Sequence, residues 1–308
     1  MKNGASEYLI RATAHGGLVR AFAVDATGVV AELQERQGTE PAVTAALGRL
    51  ATGALLFGAL LKEPEHQVTI RVKGGGPAGI LLAAANGGGD VRGLVSNPVT
   101  DVAQVRNGKL NVSGVVGREG RLTVTRDLGM RRPYVGVVEL ISGEVGEDLA
   151  HYLVSSEQTP SAVGIGVFVR AGSVEAAGGY MVQLMPGVSN AAASAIESSI
   201  MALPHPTTML REGDTPEAVL GRIFPDGFQL LDRRPVRFHC PCSMERVHRA
   251  LLLLGTSALA EILAQDRDQG FTEVTCEFCG EQYTLSSADV ERLRAEAAGR
   301  SNGGPARE

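Results

Sequence analysis

Four cysteines, Cys240, Cys242, Cys276 and Cys279, are all the cysteines of this 308-residue chain, and they fall within 40 residues of one another. They form two pairs, Cys240-Pro241-Cys242 and Cys276-Glu277-Phe278-Cys279, separated by 33 residues. Four soft thiolates in two close pairs match the tetrahedral preference of Zn²⁺, and the C-x-x-C-G turn brings two sulfurs to one side. In a reducing compartment a structural disulfide is disfavoured. Four buried thiols without a metal are the alternative, since cysteine is among the most buried residue types, but that reading leaves the pairing unexplained. His239 and His248 lie beside the first pair. Four cysteines already complete a tetrahedron, so both histidines are read as structural. Zinc also accounts for the folding of so small a C-terminal unit.

Metal-held thiolates react with peroxide or hypochlorous acid, and once oxidised they no longer hold the ion. The unit then loses its folding energy, so the site reads as an oxidation switch. Many Cys₄ modules bind nucleic acid, but between residues 236 and 298 there are six basic and ten acidic residues. Four thiolates on one Zn²⁺ add about −2 to that balance and repel phosphates. A dithiol oxidoreductase is the other rival, yet the C-x-x-C pair lacks the flanking βαβ pattern of a thioredoxin-like enzyme. No Ser, His and Asp arrangement stands out. The expected class is a non-enzyme that binds neither nucleic acid nor membrane.

The elements that must position this site fall into three segments and a tail. Residues 1–185 read as an α+β domain with antiparallel strands. Short β-type runs (Gln67 to Val72, Ile80 to Ala84, Arg121 to Thr125, Val135 to Leu140, Val163 to Arg170) alternate with Gly-rich turns, and helices are expected at Pro41 to Leu61 and Gly146 to Ser156. The stretch Lys73-Gly74-Gly75-Gly76-Pro77 is read as a hairpin turn, because its lysine precedes the glycines and the Walker order is absent. Asn86 to Asp90 is read as a second turn. Residues 186–235 hold six of the fourteen prolines and form a partly helical linker, with one weakly docked helix from an N-cap at Asn190 through Ala202. Met181, Met185, Met201 and Met209 are read as core, with an adaptable apolar surface as the alternative.

Residues 236–298 form the C-terminal unit. Ser243 caps a helix to Leu254, Gly255 stops it, and a second helix runs to about Asp266. A hairpin of Phe271 to Thr275 and Glu281 to Leu285 folds at the second cysteine pair, and a charged helix runs from Ser287 to Ala298. Residues 299–308 are expected to be a disordered tail.

Composition adds bounds. With 44% apolar residues the chain can bury a full core, and a net charge of −5 gives no bulk attraction to nucleic acid or anionic lipid. The N-terminus lacks the apolar run of a secretory signal, and the apolar stretches at 47–61 and 250–264 fall short of the roughly 20 residues of a membrane span. The expected location is the cytoplasm.

The pattern resembles the heat shock protein 33 family, the redox-regulated holdase chaperones of bacteria, over nearly the whole chain. Its C-x-C-S and C-x-x-C motifs appear as Cys240-Pro241-Cys242-Ser243 and Cys276-Glu277-Phe278-Cys279, followed by the aromatic Tyr283. Family-like text upstream includes Leu47-Gly48-Arg49, Lys62, Ser156-Glu157-Gln158, Gly178-Gly179-Tyr180 and Met185-Pro186-Gly187. The resemblance implies zinc on all four cysteines when reduced, and Cys240–Cys242 and Cys276–Cys279 disulfides when oxidised. It further implies ATP-independent binding of unfolding client proteins by the exposed linker, and a homodimer in the active state.

Overall fold

A computed structural model describes residues 7–106 and 109–302. The chain divides into two compact units, Met1–His239 and Cys240–Glu308. The first unit opens with β1 (Tyr8–Ala14) and β2 (Val19–Asp25), then α1 (Thr27–Gln37) and α2 (Pro41–Gly58). β3 (Gln67–Lys73), β4 (Ile80–Asn86) and β5 (Asp90–Val95) follow as a meander, and β6 (Val105–Arg106) and β7 (Lys109–Leu110) make a minimal ladder. After α3 (Val112–Val116) come β8 (Arg121–Asp127), β9 (Tyr134–Glu139), α4 (Gly146–Ser155), β10 (Ser161–Arg170) and β11 (Ser173–Leu184).

Two sheets result. One has the order β10-β11-β2-β1-β12, where β12 is Gln229–Pro235; the other runs β13-β5-β4-β3-β8-β9, where β13 is Arg237–Phe238. All pairings are antiparallel except the short β13–β5 contact. The expected strands are present with their ends moved by one or two residues. The two Gly-rich stretches are the turns of the β3–β4–β5 meander, and Asn86 Oδ1 accepts from the N–H groups of Gly88 and Asp90 in the second of them.

α2 explains why the sheets stay together. Apart from Pro41 and Arg49 its side chains are buried, and it packs on β3, β4 and β5 of one sheet and β10 and β11 of the other. A helix apolar all round has to lie inside a core. Its one charge, Arg49, reaches Glu144 at 2.7 Å. Gly48 allows a close approach, since a Cβ there would lie 2.5 Å from Val30 Cγ1 and 2.9 Å from Val167 Cγ2.

The proline-rich segment is more ordered than its composition suggests. It forms α5 (Asn190–Met201), α6 (Pro206–Glu212) and α7 (Pro216–Ile223) before β12. Pro206 and Pro216 each occupy the first turn of a helix, where the missing N–H costs nothing, so they start helices instead of preventing them. The cap of α5 is Ser189, which accepts from Ala192 N–H, one residue before the expected Asn190. α5 buries Ile196 alone, in keeping with a lightly docked helix. α6 and α7 differ: Met209, Val219, Leu220 and Ile223 join Tyr8, Ile10, Val19 and Tyr180 in a second core on the outer face of the five-stranded sheet. Met181 and Met209 are core residues, whereas Met201 is exposed.

The compact division falls at His239/Cys240, four residues beyond the expected 235/236. The reason is the anchoring of β13: Arg237 bonds Asp90 at 2.7 Å, His239 N–H donates to Val91 O at 3.0 Å, and Arg36 stacks over Phe238 at 4.5 Å.

The second unit comprises α8 (Met244–Gln265), the hairpin β14 (Phe271–Thr275) and β15 (Gln282–Ser286), and α9 (Ser287–Asn302). Within α8, Gly255 sits at φ 80° and ψ 176°, outside helical space, so the helix is the expected pair broken at that glycine. α9 runs to Asn302, which corrects the expected tail at its first four residues; residues 303–308 lie outside those described. α2 and α8 both have the length and hydropathy of a membrane span, but α2 is the buried core helix and α8 is interrupted at Gly255.

Candidate metal centre

Each cysteine pair is carried by a local structure that its sequence dictates. Cys240 and Cys242 lie on the extended run into α8, whose first turn is capped by Ser243 Oγ accepting from Arg246 N–H. Cys276 and Cys279 close the β14–β15 hairpin: Cys276 N–H donates to Glu281 O at 2.9 Å and Gly280 N–H to Cys276 O at 2.8 Å. Gly280 adopts φ +77°, a left-handed turn that glycine takes without a Cβ penalty.

These elements bring the four sulfurs together, all within 4.8 Å of one another. Cys240 Sγ is 3.7 Å from Cys276 Sγ, and Cys242 Sγ is 3.4 Å from Cys279 Sγ. A tetrahedron with metal–sulfur bonds of about 2.3 Å has edges of about 3.8 Å, so the spacing suits one four-coordinate ion. None of the four is in a disulfide, and all are partly buried. Neither His239 nor His248 belongs to the group, in line with their reading as structural.

The electrostatics point the same way. Burial pushes the Cys279 thiol up to about 12, with the thiols of Cys242, Cys276 and Cys240 adding to the rise and the Glu281 backbone opposing it. Burial also raises Cys276, against hydrogen bonds from the Phe278 and Cys279 backbone. Burial foremost, with hydrogen bonds from neighbouring thiols, favours the protonated form of Cys276 and Cys279. A divalent cation displaces such protons, and four sulfurs within 4.8 Å make a donor set that fits a soft metal ion.

Tyr283 is the contribution that residue-level reasoning missed. It appears above merely as an aromatic after the second pair. Its interaction with Cys242, then burial, raises its pKa. The signal was available in the hairpin register, which pairs Tyr283 with Val274 two residues from Cys276. A hydroxyl donating to a ligand sulfur tunes and orients it.

The fold recurs in known proteins. Residues 7–286 match the family model described as Hsp33 protein. A 33 kDa chaperonin of Bacillus subtilis is 42% identical over 289 residues, 94% of this chain and 98% of that protein. A 33 kDa chaperonin of Geobacter sulfurreducens is 44% identical over 292 residues, 94% and 95% of the two chains. The crystal structure of a 33 kDa chaperonin from Thermotoga maritima superposes with a TM-score of 0.85 at 32% identity, covering 96% of this chain and all of the other. Family model, relatives and structure agree over both compact units, and this chain belongs to the Hsp33 family.

Proposed function

We propose that the protein is a redox-regulated, ATP-independent holdase that binds unfolding proteins in the cytoplasm and keeps them from aggregating under oxidative stress. In the reduced state Cys240, Cys242, Cys276 and Cys279 hold one Zn²⁺ as thiolates and the chaperone is inactive. The bound ion supplies folding energy to the C-terminal unit. The observation that carries this reading is the convergence of four sulfurs within 4.8 Å in a unit whose own core is small. Its fully buried apolar side chains are Val247, Leu251, Leu259, Leu285, Val290, Leu293 and Ala297.

Oxidation converts the pairs to Cys240–Cys242 and Cys276–Cys279 disulfides. For each, two thiolates give two electrons to one peroxide; the O–O bond breaks, the S–S bond forms, and two protons complete two waters. Disulfide sulfurs no longer serve as thiolate ligands, the ion leaves, and the C-terminal unit unfolds. Within the segment 186–235, next along the chain, α5 is released with it and binds clients, and the active form is a homodimer. The light docking of α5 supports the release. The acidic balance of residues 236–298 speaks against nucleic-acid binding.

The test is metal content and thiol count beside suppression of aggregation of a heat-denatured client, before and after peroxide with mild heat. One zinc and four thiols per chain with no suppression, then loss of zinc and thiols with suppression, is the expected pair of results. Equal suppression in both states would refute the switch.

A further inference from the structure

Among the described residues β9 is the last strand of its sheet, with β8 on one side and no strand on the other. Leu140 N–H donates to Gly120 O at 2.9 Å, so in the unbroken β8–β9 register Tyr134, Gly136 and Val138 spend their backbone groups on β8. By the alternation of an antiparallel ladder, the N–H and C=O groups of Val135, Val137 and Glu139 point away from the sheet. Natural edges are blunted by lysine, proline, a bulge or a covering element. Tyr134–Glu139 contains no lysine, proline or bulge, and its one charge, Glu139, sits at its last position, paired with Arg121 at 2.9 Å. Val135 is 59% exposed and Val137 50%, flanked by Tyr134 at 61% and Ile141 at 56%.

Beside the first half of the strand lies a pocket of about 430 Å³ between β8, β9 and α4. Val124, Leu128, Tyr134 and Tyr152 line it, with the Arg126–Glu157 ion pair among its walls. Gly136 keeps it open to α4, since a Cβ there would meet Tyr152 Oη at 2.5 Å. The end of the strand is pinned as well: the buried Asp148 carboxylate accepts from the N–H groups of Ile141, Ser142 and Val145 at 2.8, 3.0 and 3.1 Å. Edge and pocket are therefore preformed.

We infer that this edge binds an extended apolar peptide segment, which adds to β9 as a further strand and places one large side chain in the pocket between Tyr134 and Tyr152. The partner class rests on the holdase reading, because extended apolar segments are what an unfolding protein presents. A helix or an acyl chain in the same place would leave the outward N–H and C=O groups unsatisfied. A second copy paired through β9 would bring six residues a side, where a stable dimer takes about 20–30. Strand addition takes its affinity from main-chain bonds, which every sequence can make, and its selectivity from the pocket. That combination suits a binder of many unrelated chains.

The test uses the full-length protein and a fluorescently labelled peptide of alternating Val and Thr with one Phe, followed by anisotropy in reduced and oxidised samples. Wild type is expected to bind in the oxidised sample, the state in which the holdase reading makes the protein active. Val137→Pro removes an outward N–H that no internal acceptor uses and weakens binding about tenfold. Val137→Lys keeps the backbone, charges the edge, and is expected to weaken binding likewise. Circular dichroism melts check that both variants are folded. Unchanged affinity in a folded Val137→Lys protein overturns the inference, and so does a wild type that ignores the peptide in the oxidised sample. Loss of dimer in sedimentation with peptide binding intact also overturns it, assigning the edge to contacts between copies. A wild type that binds the peptide at β9 but suppresses aggregation equally in both thiol states sinks the switch and leaves the edge standing.

Discussion

Replacing Cys242 by serine tests the metal centre most directly. Cys242 Sγ lies 3.4 Å from Cys279 Sγ, and its interaction with Tyr283 raises the pKa of that tyrosine. A serine hydroxyl is un-ionised at neutral pH and is a hard donor, so the substitution removes one of four thiolate bonds. Structural zinc in small modules is worth about 10–16 kcal/mol, so a quarter share is about 2.5–4 kcal/mol, or about 70- to 900-fold in affinity. Competition against a chromogenic chelator reads that loss. Amide hydrogen exchange reads its structural effect, expected as lost protection in β14 and β15 of the reduced protein while α2 and its flanking strands stay protected. Tyr283→Phe is the paired control: it keeps four ligands, removes the hydroxyl that touches Cys242, and is expected to weaken zinc by about tenfold. A Cys242→Ser protein that keeps wild-type zinc affinity, or a Tyr283→Phe protein that loses more than it, would refute the assignment of ligand and supporting residue.

Two further outcomes follow from the first unit. Gly117 holds φ 82° and ψ 172°, and a Cβ there would lie 2.1 Å from Gly74 O. Gly117→Ala therefore adds about 1–3 kcal/mol of backbone strain to about 1–3 kcal/mol of overpacking, and thermal melting should fall by several degrees; an unchanged melt contradicts the loop geometry. His205, at the start of α6, lies against Gly166 and shares a 2.8 Å hydrogen bond with Thr207 Oγ1. Burial, with Arg49 and Lys109 nearby, holds it below its ordinary value of 6.5. The unfolded chain then takes up the proton first, so the stability present above about pH 6.5 declines as pH falls toward the folded value. Amide exchange in α6 should quicken on acidification, and His205→Asn should flatten that response; an identical pH profile in the variant removes His205 from the account.

Much of the site was legible in the chain. Cys240-x-Cys242 and Cys276-x-x-Cys279 announce a ligand set through residue type and spacing, and Ser243, Gly255 and Gly280 mark the cap, break and turn that carry it. These are local signals, set by hydrogen bonding and φ/ψ preference within a few residues, and local chemistry can be read locally. The helix at Pro41 and the strands of the meander were visible for the same reason.

What required the tertiary structure is non-local. Proline spacing made residues 186–235 look like a loose linker, but where Pro206 and Pro216 fall in helix first turns they support structure, and β12 is a strand because β1 lies beside it. The division at His239 follows from pairing with β5, 147 residues earlier between Arg237 and Asp90. Tyr283 faces Cys242 because the hairpin folds back, and the open edge of β9 exists because no other strand reaches it. The sequence by itself determined which atoms can hold a metal; the tertiary structure alone decided that their sulfurs meet within 4.8 Å, because that distance depends on two segments separated by 33 residues being packed against each other.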